Sequence, residues 1–295
     1  MKEKMIYALG FFDGVHLGHK ALLRACRELA DKLGAKAGVV TFTSHPDALV
    51  LGQAPKLINT PTDRQQLLRN AGMDSVVELP FDKKMMAMPW QDFFRLLLEK
   101  YHAAGFVCGA DFRFGSRGEG TSALLRDACE QEGIPCTVVP EQTVDGITVS
   151  STHIRSLLER GDVETAARFL GHPHFLSGSV VKGRQLGRTI GIPTANLKFP
   201  EELALPKLGV YACSAEVSGQ IYSCVTNVGN RPTVGGHHIT VESWLQNFDG
   251  ELYGKSMTVR FYKFLRPEQK FSDLQELRRE ILKNREEVLE IFEKR

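Results

Sequence analysis

The sequence has 295 residues, the length of about two ordinary domains, and it is 42% hydrophobic and 24% charged. Its 37 basic and 35 acidic side chains give a net charge of +2, which excludes the strongly basic field of a protein that binds nucleic acid non-specifically, and no apolar run approaches the roughly 20 residues of a transmembrane helix. The six cysteines have neither a CxxC motif nor metal-type spacing, so we expect a cytoplasmic protein with reduced thiols and with no nucleic-acid or membrane partner.

The first half of the chain alternates short apolar runs with amphipathic segments. The runs predict strands at 5–10, 37–42, 75–79, 106–109 and 135–139. The amphipathic segments predict helices at 19–33, 62–72, 90–101 and 121–131. A capping box at Thr62 and Gln65 marks the start of the second helix. Strands separated by helices of this size are typical of βαβ units in a parallel sheet.

The second half loses this rhythm. It consists of β-type runs separated by Gly, Pro and Asn, at 176–181, 210–217, 221–228, 239–248 and 257–264. This pattern is typical of a small antiparallel barrel. A helix follows, with a capping box at Ser272 and Gln275, and we expect its apolar face to pack on its own barrel. We place the domain boundary between residues 172 and 173, giving domains 1–172 and 173–295.

The first chemical motif is GFFDGVHLGH at residues 10–19, where a predicted strand ends, a tight turn follows and a helix begins. Ligands bind at the carboxyl ends of parallel strands, and helix N-termini attract phosphate. His16 and His19 are three residues apart at that helix start, so both can face one phosphate and stabilise its charge as pyrophosphate leaves. Two imidazoles can also bind zinc, although no HExxH motif or cysteine cluster supplies further ligands.

The second motif is VSSTHIR at residues 149–155, before a predicted helix at 154–160. A hydroxyl at this place is an ordinary helix N-cap. Arg155, however, lies at the positive end of the helix dipole, where a cation is mildly unfavourable unless an anion binds. Thr152 and Arg155 are therefore candidates for a phosphate clamp.

The third motif has glycines at Gly183, Gly187 and Gly191, followed by PTAN at residues 193–196. Glycine spacing alone is also explained by a set of turns, but a glycine-rich loop can wrap phosphates with its backbone N–H groups. Thr194 and Asn196 are two apart on an extended segment and therefore face the same side. Their oxygens are ligands that suit Mg²⁺.

The first two motifs, with TFTSHP at 41–46 and GADFRFG at 109–115, resemble the adenylyltransferase module of the bacterial bifunctional riboflavin kinase/FMN adenylyltransferases. The resemblance implies a Rossmann-like nucleotidyltransferase domain, with a parallel sheet, that moves AMP from ATP onto FMN and releases pyrophosphate. It implies catalytic roles for His16, His19 and Arg155. It also implies nucleotide- or flavin-binding roles for Gly10, Phe12, Asp13, Gly18, His45, Asp111 and Thr152.

The second half resembles the flavokinase module of the same family, through PTAN and the segments GVYA (209–212), NVGNRPT (227–233), VES (241–243) and DGELYG (249–254). The resemblance implies a six-stranded antiparallel barrel with a C-terminal helix that phosphorylates riboflavin to FMN. Glu242 would take the proton from the ribityl 5′-hydroxyl, since an alcohol is a weak nucleophile. Thr194 and Asn196 would hold Mg²⁺, and ATP would bind at Gly183, Gly187, Gly191 and Pro193.

The implied small-molecule partners are ATP, riboflavin and FMN, with FAD as the final product and Mg²⁺ as the metal. A homo-oligomer remains open. Some positions depart from the family pattern, notably Lys182 and Trp244 where the family has His, Asn247 where it has Asp, and Asn284 where it has an acid. By strand alternation, Trp244 would share a face with Glu242 and either stack on the flavin or block its pocket.

Three alternatives to the two-step enzyme stay open at this point. The first is a monofunctional FMN adenylyltransferase whose kinase half is degenerate and only binds flavin. The second is a non-enzymatic flavin-binding or regulatory protein. The third is adenylylation or cytidylylation of another phosphorylated alcohol. The histidine motif at 10–19 and the arginine motif at 149–155 do not by themselves exclude it.

Overall fold

The computed structural model describes residues 3–183, 187, 190–233 and 236–293. The chain divides into two compact units. The first comprises Met1–Leu57 and Pro61–Ser151, and the second comprises Ile58–Thr60 and Thr152–Arg295.

The first unit is built on a parallel sheet. Its strands, including two short hairpin pairs outside the sheet, are β1 (Met5–Leu9), β2 (Lys36–Phe42), β3 (Ser75–Leu79), β4 (Ala103–Gly109), β5 (Arg113–Phe114), β6 (Gly120–Thr121), β7 (Cys136–Val139), β8 (Thr143–Val144) and β9 (Ile147–Thr148). The helices are α1 (Leu17–Leu33), α2 (Asp47–Val50), α3 (Pro61–Asn70), α4 (Lys83–Ala87), α5 (Trp90–Tyr101) and α6 (Ser122–Gln131). The five-stranded sheet has the order β3-β2-β1-β4-β7, and each adjacent pair is parallel.

The order of the sheet places β1 at its centre. All five residues of β1 are buried, because helices cover both faces of a parallel sheet. One face packs against α1, whose apolar stripe includes Leu22, Leu23 and Cys26. The other face packs against α5 and α6 through Phe93, Leu97 and their neighbours. The loop after β1 consequently leaves from the middle of the sheet, at the edge where ligands bind in such folds.

The helix starts differ from both predicted capping boxes. The helix α3 already begins at Pro61, so Thr62 lies inside it, and the Gln65 side chain bonds to Glu78 on β3 instead of turning back. In the C-terminal helix the capping residue is Asp273, whose Oδ1 accepts the N–H groups of Gln275 and Glu276 at 2.8 Å. Proline is well suited to the first helical position, and aspartate is as good a cap as serine, so the sequence pattern did not distinguish neighbouring starts.

The second unit contains α7 (Ser151–Arg160, from Thr152 onward), α8 (Val163–Leu170) and a closed barrel. The barrel strands are β10 (Phe175–Val181), β11 (Ala195–Lys198), β12 (Gly209–Val217), β13 (Gln220–Thr233), β14 (Gly236–Leu245) and β15 (Ser256–Arg266). Their order is β10-β11-β14-β13-β12-β15, and all pairs are antiparallel. The strands predicted from periodicity do not include β11, because four residues are too few to show a clear alternation.

The C-terminal helix α9 (Leu274–Glu293) packs on its own barrel, as expected. Val288, Ile291 and Phe292 enter an apolar cluster with residues of β12, β13 and β14. The predicted fold class is therefore confirmed: a parallel α/β unit precedes a six-stranded antiparallel barrel with a C-terminal helix. In the described chain, we find no helix with the length and apolar character needed to cross a membrane.

His174, directly before β10, is completely buried and stacks on Phe261 with the ring centroids 5.8 Å apart. Neither ring nitrogen has a well-formed hydrogen bond within the described residues. Burial lowers the pKa of His174 to about 3, with a smaller contribution from His172. The unfolded chain binds a proton at this residue below about pH 6.5, whereas the folded barrel does not.

We expect this histidine to make the barrel acid-sensitive. Its contribution to stability is complete above pH 6.5 and is lost progressively as the pH falls toward 3, by about 2 kcal/mol between pH 7 and pH 5. The stability of the barrel is measured at each pH by urea unfolding, followed by the fluorescence of Trp244 in a Trp90→Phe background. His174→Phe keeps the aromatic stack and should remove this part of the pH dependence. An equal loss in both proteins would contradict the assignment.

Candidate active site

The turn between β1 and α1 has an unusual backbone. Phe12, Gly14 and Val15 all have positive φ angles, of 60°, 83° and 42°. A positive φ is costly for a β-branched residue such as Val15 and persists only where the surroundings enforce it. Here both apolar side chains are fully enclosed, Phe12 at 0% and Val15 at 1% exposure. Burial therefore holds a strained turn that delivers His16 to the start of α1.

The two histidines of the turn lie in direct contact and form an imidazole pair. The rings of His16 and His19 stack with their centroids 3.6 Å apart and an interplanar angle of 14°. His16 is also the N-cap of α1, and its Nδ1 accepts the His19 N–H at 3.3 Å. Since Nδ1 acts as the acceptor, the ring proton of neutral His16 lies on Nε2. That nitrogen is then a hydrogen-bond donor for a phosphate oxygen.

The environment of His19 favours its neutral form. Burial lowers its pKa well below the ordinary value, and the nearby His16 and Arg64 lower it further. Its Nδ1 is buried without a hydrogen-bond partner among the described residues. A buried polar atom without a partner is costly unless a ligand or water satisfies it. His19 Nδ1 therefore has hydrogen-bonding capacity that the described residues do not use.

Gly18 allows the His16 ring to lie close to the backbone of α1. A Cβ at position 18 would come within 3.1 Å of His16 Cε1 and 3.2 Å of Nδ1. Gly10, before the turn, donates its N–H to the Val40 carbonyl at 3.3 Å, which continues the sheet contact beyond β1. A Cβ at position 10 would lie 3.2 Å from Phe12 Cε2, so both glycines have a local reason to lack a side chain.

A large cavity opens beside this turn, with a volume of about 1290 Å³. Such a volume accommodates a dinucleotide-sized ligand. The polar and glycine residues on its wall include Gly10, His16, Gly18, His19, Asp111, Arg117 and Ser151. The apolar residues on its wall include Phe11, Phe42, Phe81, Met85, Phe93 and Phe112. A mixed wall of this kind suits an aromatic group joined to phosphates.

The remaining predicted residues of the first unit lie at different depths. Asp111 is on the cavity wall, and Gly109 leaves room for its carboxylate, since a Cβ there would lie 2.8 Å from Asp111 Oδ1. His45 stands behind Phe11, with the ring centroids 4.6 Å apart. Phe12 and Asp13 are buried and do not line the cavity. Phe12 supports the His19 ring from the core at 5.1 Å.

The second motif forms the start of α7. Ser151 donates its hydroxyl to the Asp13 carbonyl at 2.9 Å, which ties the start of α7 to the strained turn within the first unit. Thr152 and Arg155 lie in the following turn of the helix and belong to the second unit. Their role in a phosphate clamp stays a prediction.

The barrel brings three polar residues into one row across adjacent strands. Asn196 on β11 pairs with Glu242 on β14, and Glu242 pairs on its other side with Asn227 on β13. Directly paired residues of antiparallel strands point to the same face. Val241 and Ser243, which flank Glu242, are fully buried, so the row lies on the outer face of the barrel wall. Thr194 comes two residues before Asn196, directly ahead of β11.

Gly183 packs closely on this row, and Gly187 packs on Ile192 of its own loop. A Cβ at Gly183 would lie 2.3 Å from Asn196 Nδ2, and one at Gly187 would lie 2.0 Å from the Ile192 carbonyl oxygen. Gly187 O also accepts the Ile192 N–H at 2.7 Å. Gly191 has a φ of 75°, and Pro193 is exposed beside it. The loop positions 184–186 and 188–189 lie outside the described residues.

Trp244 does share a face with Glu242, but neither of the two predicted roles for it describes its contacts. Its ring packs in the apolar cluster under α9, with Val225 and Val288. Gln246 is buried, donates to the Trp244 carbonyl at 3.0 Å and accepts from Arg285 Nε at 2.8 Å. These residues therefore attach the C-terminal helix to the barrel.

The other departures also have local explanations. Asn284 is buried and accepts the Arg266 Nε–H at 3.1 Å. Asn247 has a φ of 57°, a conformation that asparagine tolerates well. The Lys182 ammonium lies 5.7 Å from the ring centroid of Tyr253, within reach of a cation–π contact. Among the described residues, no three His, Cys, Asp or Glu side chains are grouped as a zinc site would require.

A parallel α/β unit with an imidazole pair, followed by a closed barrel, places the chain among two-module transferases that act on nucleotide phosphates. Residues 1–153 match the family model for FAD synthetase, and residues 170–292 match that for riboflavin kinase. The chain belongs to the family of bifunctional riboflavin kinase/FMN adenylyltransferases. It is 35% identical to the protein of that name from Bacillus subtilis over 99% of this chain and 93% of the relative. It is likewise 35% identical to the Escherichia coli K12 protein of that name over 99% and 94%.

A solved structure agrees with the fold along the whole chain. A Streptococcus pneumoniae protein, named a macrolide-efflux protein, superposes with a TM-score of 0.89 at 30% identity. The match covers 98% of this chain and 94% of the other. The order of α/β unit and barrel is therefore shared over both lengths.

We expect Trp244 to contribute to the attachment of α9. Trp244→Ala should lower the free energy of unfolding by about 2 kcal/mol, somewhat less than for a fully buried tryptophan, and speed amide exchange over residues 285–292. Trp244→Phe should keep most of the stability. Ile221, on the same barrel but 67% exposed, is the control, and Ile221→Ala should stay within about 0.5 kcal/mol. Unchanged exchange in Trp244→Ala would show that the ring does not hold the helix.

Proposed function

We propose that this chain catalyses two reactions of flavin cofactor biosynthesis. The barrel unit transfers a phosphoryl group from ATP to riboflavin and forms FMN. The α/β unit transfers AMP from a second ATP to FMN, which forms FAD and pyrophosphate. The observation that carries the proposal is that the chain keeps both sites, the imidazole pair beside a large cavity and the Asn–Glu–Asn row on the barrel.

In adenylyl transfer, a phosphate oxygen of FMN attacks the α-phosphorus of ATP, and the bond to the pyrophosphate oxygen breaks. Negative charge accumulates on the non-bridging and leaving oxygens. His16 would donate from Nε2, and His19 lies stacked beside it with its Nδ1 unbonded among the described residues. Donors held in place before the reaction stabilise such charge without reorganisation. Thr152 and Arg155 would supply a hydroxyl and a guanidinium as a phosphate clamp.

The other predicted binding residues divide between the ends of the substrates. Gly10 and Gly18 allow backbone to approach the phosphates, and Asp111 would contact nucleotide or flavin from the cavity wall. His45, whose ring contacts that of Phe11, would contribute to nucleotide or flavin binding. Phe12 and Asp13 would act by shaping the turn, since their side chains are buried.

In phosphoryl transfer, Glu242 would take the proton of the ribityl 5′-hydroxyl as that oxygen attacks the γ-phosphorus of ATP. Glu242 is half-buried between Asn196 and Asn227, which holds its strand position in the row. A positioned carboxylate makes an alcohol a competent nucleophile. Gly183, Gly187 and Gly191, with Pro193, would form the loop over the ATP phosphates.

The donor set beside Glu242 fits Mg²⁺. Asn196 is 8% exposed and supplies an amide oxygen, and Thr194 supplies a hydroxyl two residues earlier. Both are the hard oxygen ligands that this ion prefers. When bound, Mg²⁺ would neutralise charge on the transferred phosphate. Asn196 and Thr194 would then orient the nucleotide relative to Glu242.

The monofunctional alternative is not favoured, because both family models match and the bifunctional relatives align over the full chain. The residues that depart from the family pattern near Glu242 attach α9 or shape a turn. They do not remove Thr194, Asn196 or Glu242.

The two sites should fail independently. His16→Ala should lower FAD formation from FMN about 100-fold and leave FMN formation from riboflavin intact, because one phosphate donor is lost. Glu242→Gln should lower FMN formation about 100-fold and leave FAD formation from supplied FMN intact. Chromatographic separation of riboflavin, FMN and FAD after incubation with ATP and Mg²⁺ measures both.

Each variant serves as the control for the other, because the unaffected reaction reports that the protein is folded. If both activities were lost in either variant with an intact fold, the separate sites would be wrong. If the wild-type protein formed FAD from FMN but no FMN from riboflavin, the monofunctional alternative would hold instead.

Metal dependence should locate the Mg²⁺ site. EDTA in excess should stop FMN formation, and added Mg²⁺ should restore it. Asn196→Ala should raise the Mg²⁺ concentration that gives half-maximal FMN formation, by about tenfold for the loss of one ligand. The Mg²⁺ dependence of FAD formation in the same protein should not move. Equal Mg²⁺ requirements in wild type and variant would remove Asn196 from the metal site.

A further inference from the structure

Arg64 is a buried cation that no sequence motif singled out. It lies on α3, and only 2% of its surface is exposed. Enclosing a guanidinium is costly unless hydrogen bonds and an opposite charge compensate for the loss of water. The contacts of Arg64 therefore identify the groups that compensate for burying its charge and whose positions it fixes.

The guanidinium joins the carboxyl ends of three adjacent strands. Nη1 donates to the Phe11 carbonyl at 3.3 Å, just beyond β1, and Nη2 donates to the Phe42 carbonyl at 2.7 Å, at the end of β2. Nη2 also bonds to Glu78 Oε1 on β3 at 3.4 Å. Phe11 and Phe42 line the large cavity, but Arg64 itself does not. Arg64 thus acts on the wall of the site from behind.

Phe11 is held on its side chain as well as its backbone. The Arg64 guanidinium carbon lies 4.3 Å from the centroid of the Phe11 ring, and the His45 ring lies 4.6 Å from it at an angle of 72°. The Phe11 carbonyl also accepts the Thr41 hydroxyl at 3.0 Å. Phe11 directly precedes the strained segment 12–15, so these contacts restrain the residue from which the strained turn departs.

The charge of Arg64 also acts on the imidazole pair. A guanidinium stays protonated in proteins, so its positive charge is permanent. The pKa of His19 is lowered first by burial, then by His16 and then by Arg64. The negative groups near Arg64 are Glu78 and, through a longer-range interaction, Asp13. His19 therefore faces one titratable ring and one fixed cation.

We propose that Arg64 is a positioning residue for adenylyl transfer, which holds Phe11 and the strained turn so that His16 and His19 meet the ATP phosphates in the reactive geometry. Arg64 makes no contact with the cavity, so it acts through these residues. The inference rests on the proposed FMN adenylyltransferase activity of the first unit.

Three variants of the full chain test this role. Arg64→Met removes the charge and the donors while keeping most of the volume. Arg64→Lys keeps the charge but loses the planar fork that reaches two carbonyls. Arg27→Met is the matched control, because Arg27 also bonds a carbonyl, that of Gly72, and a carboxylate, that of Asp74, but lies away from the cavity.

The expected result is a loss confined to one reaction. Arg64→Met should lower kcat for FAD formation about 100-fold with KM for ATP and FMN within about threefold, since a small misplacement of reacting groups has that effect. Arg64→Lys should recover about tenfold of that loss. Arg27→Met should stay within about twofold of wild type. FMN formation from riboflavin should be unchanged in all three, and fluorescence titration with FMN should give the same number of binding sites.

The pH profile separates positioning from simple stabilisation. Without the cation, the pKa of His19 rises, so the acid limb of kcat for FAD formation should move to higher pH in Arg64→Met. Arg64→Lys should keep the wild-type limb. Destabilisation alone would reduce the number of FMN-binding sites and leave the limb in place.

Several results would overturn the inference. These are a kcat within twofold of wild type in Arg64→Met, a loss of kcat that follows the loss of FMN-binding sites, or an unshifted acid limb. If the wild-type protein makes no FAD from FMN, the proposed function fails instead. The placement of the imidazoles is then tested by NMR titration of His19 in wild type and Arg64→Met, where identical titration curves would overturn it.

Discussion

The α/β unit depends on a strained turn being held in place. Between β1 and α1 the backbone passes through positive φ at Phe12, Gly14 and Val15, a conformation that the local sequence does not favour by itself. The turn persists because two of its side chains are enclosed in the core and because Ser151 bonds to the Asp13 carbonyl. Its effect is to stack two imidazoles at the start of a helix, where phosphate binds well. Packing therefore holds the backbone in a strained conformation that places the hydrogen-bond donors before the ligand binds.

In the barrel, the register of the paired strands positions the polar groups. Asn196, Glu242 and Asn227 lie in one row because three strands pair at those positions, and a slip of one residue would turn Glu242 into the barrel interior. Gly183 permits the loop to pass against Asn196, where any Cβ would collide with the amide. In both units, positions without a side chain set how closely backbone can approach the polar groups.

The sequence predicts the periodic elements well and the isolated side chains poorly. The strand at 75–79 and the helix at 90–101 appear with the predicted bounds, and a proline marks the end of the strand and another the start of the helix. The cap of the last helix lies at Asp273 instead of Ser272, since adjacent residues are equally good caps. The histidine turn could be found from its glycines. Arg64 could not, because an arginine in a short amphipathic helix usually faces solvent, and only the tertiary structure shows it under three strands.

The structural role of the residues that depart from the family pattern depends on what their side chains contact. Strand alternation correctly gives Trp244 the same face as Glu242, but that face is divided along its length. At Glu242 it carries the polar row, and at Trp244 it is covered by α9 through Val288 and its neighbours. Exchanging a polar residue for tryptophan there adds apolar contact to the helix rather than bulk to the polar row. The Arg285–Gln246 and Arg266–Asn284 bonds reinforce the same attachment. The unusual residues of the barrel therefore concern how the helix is fastened, and the oxygen ligands and carboxylate of the proposed kinase site are separate from that change.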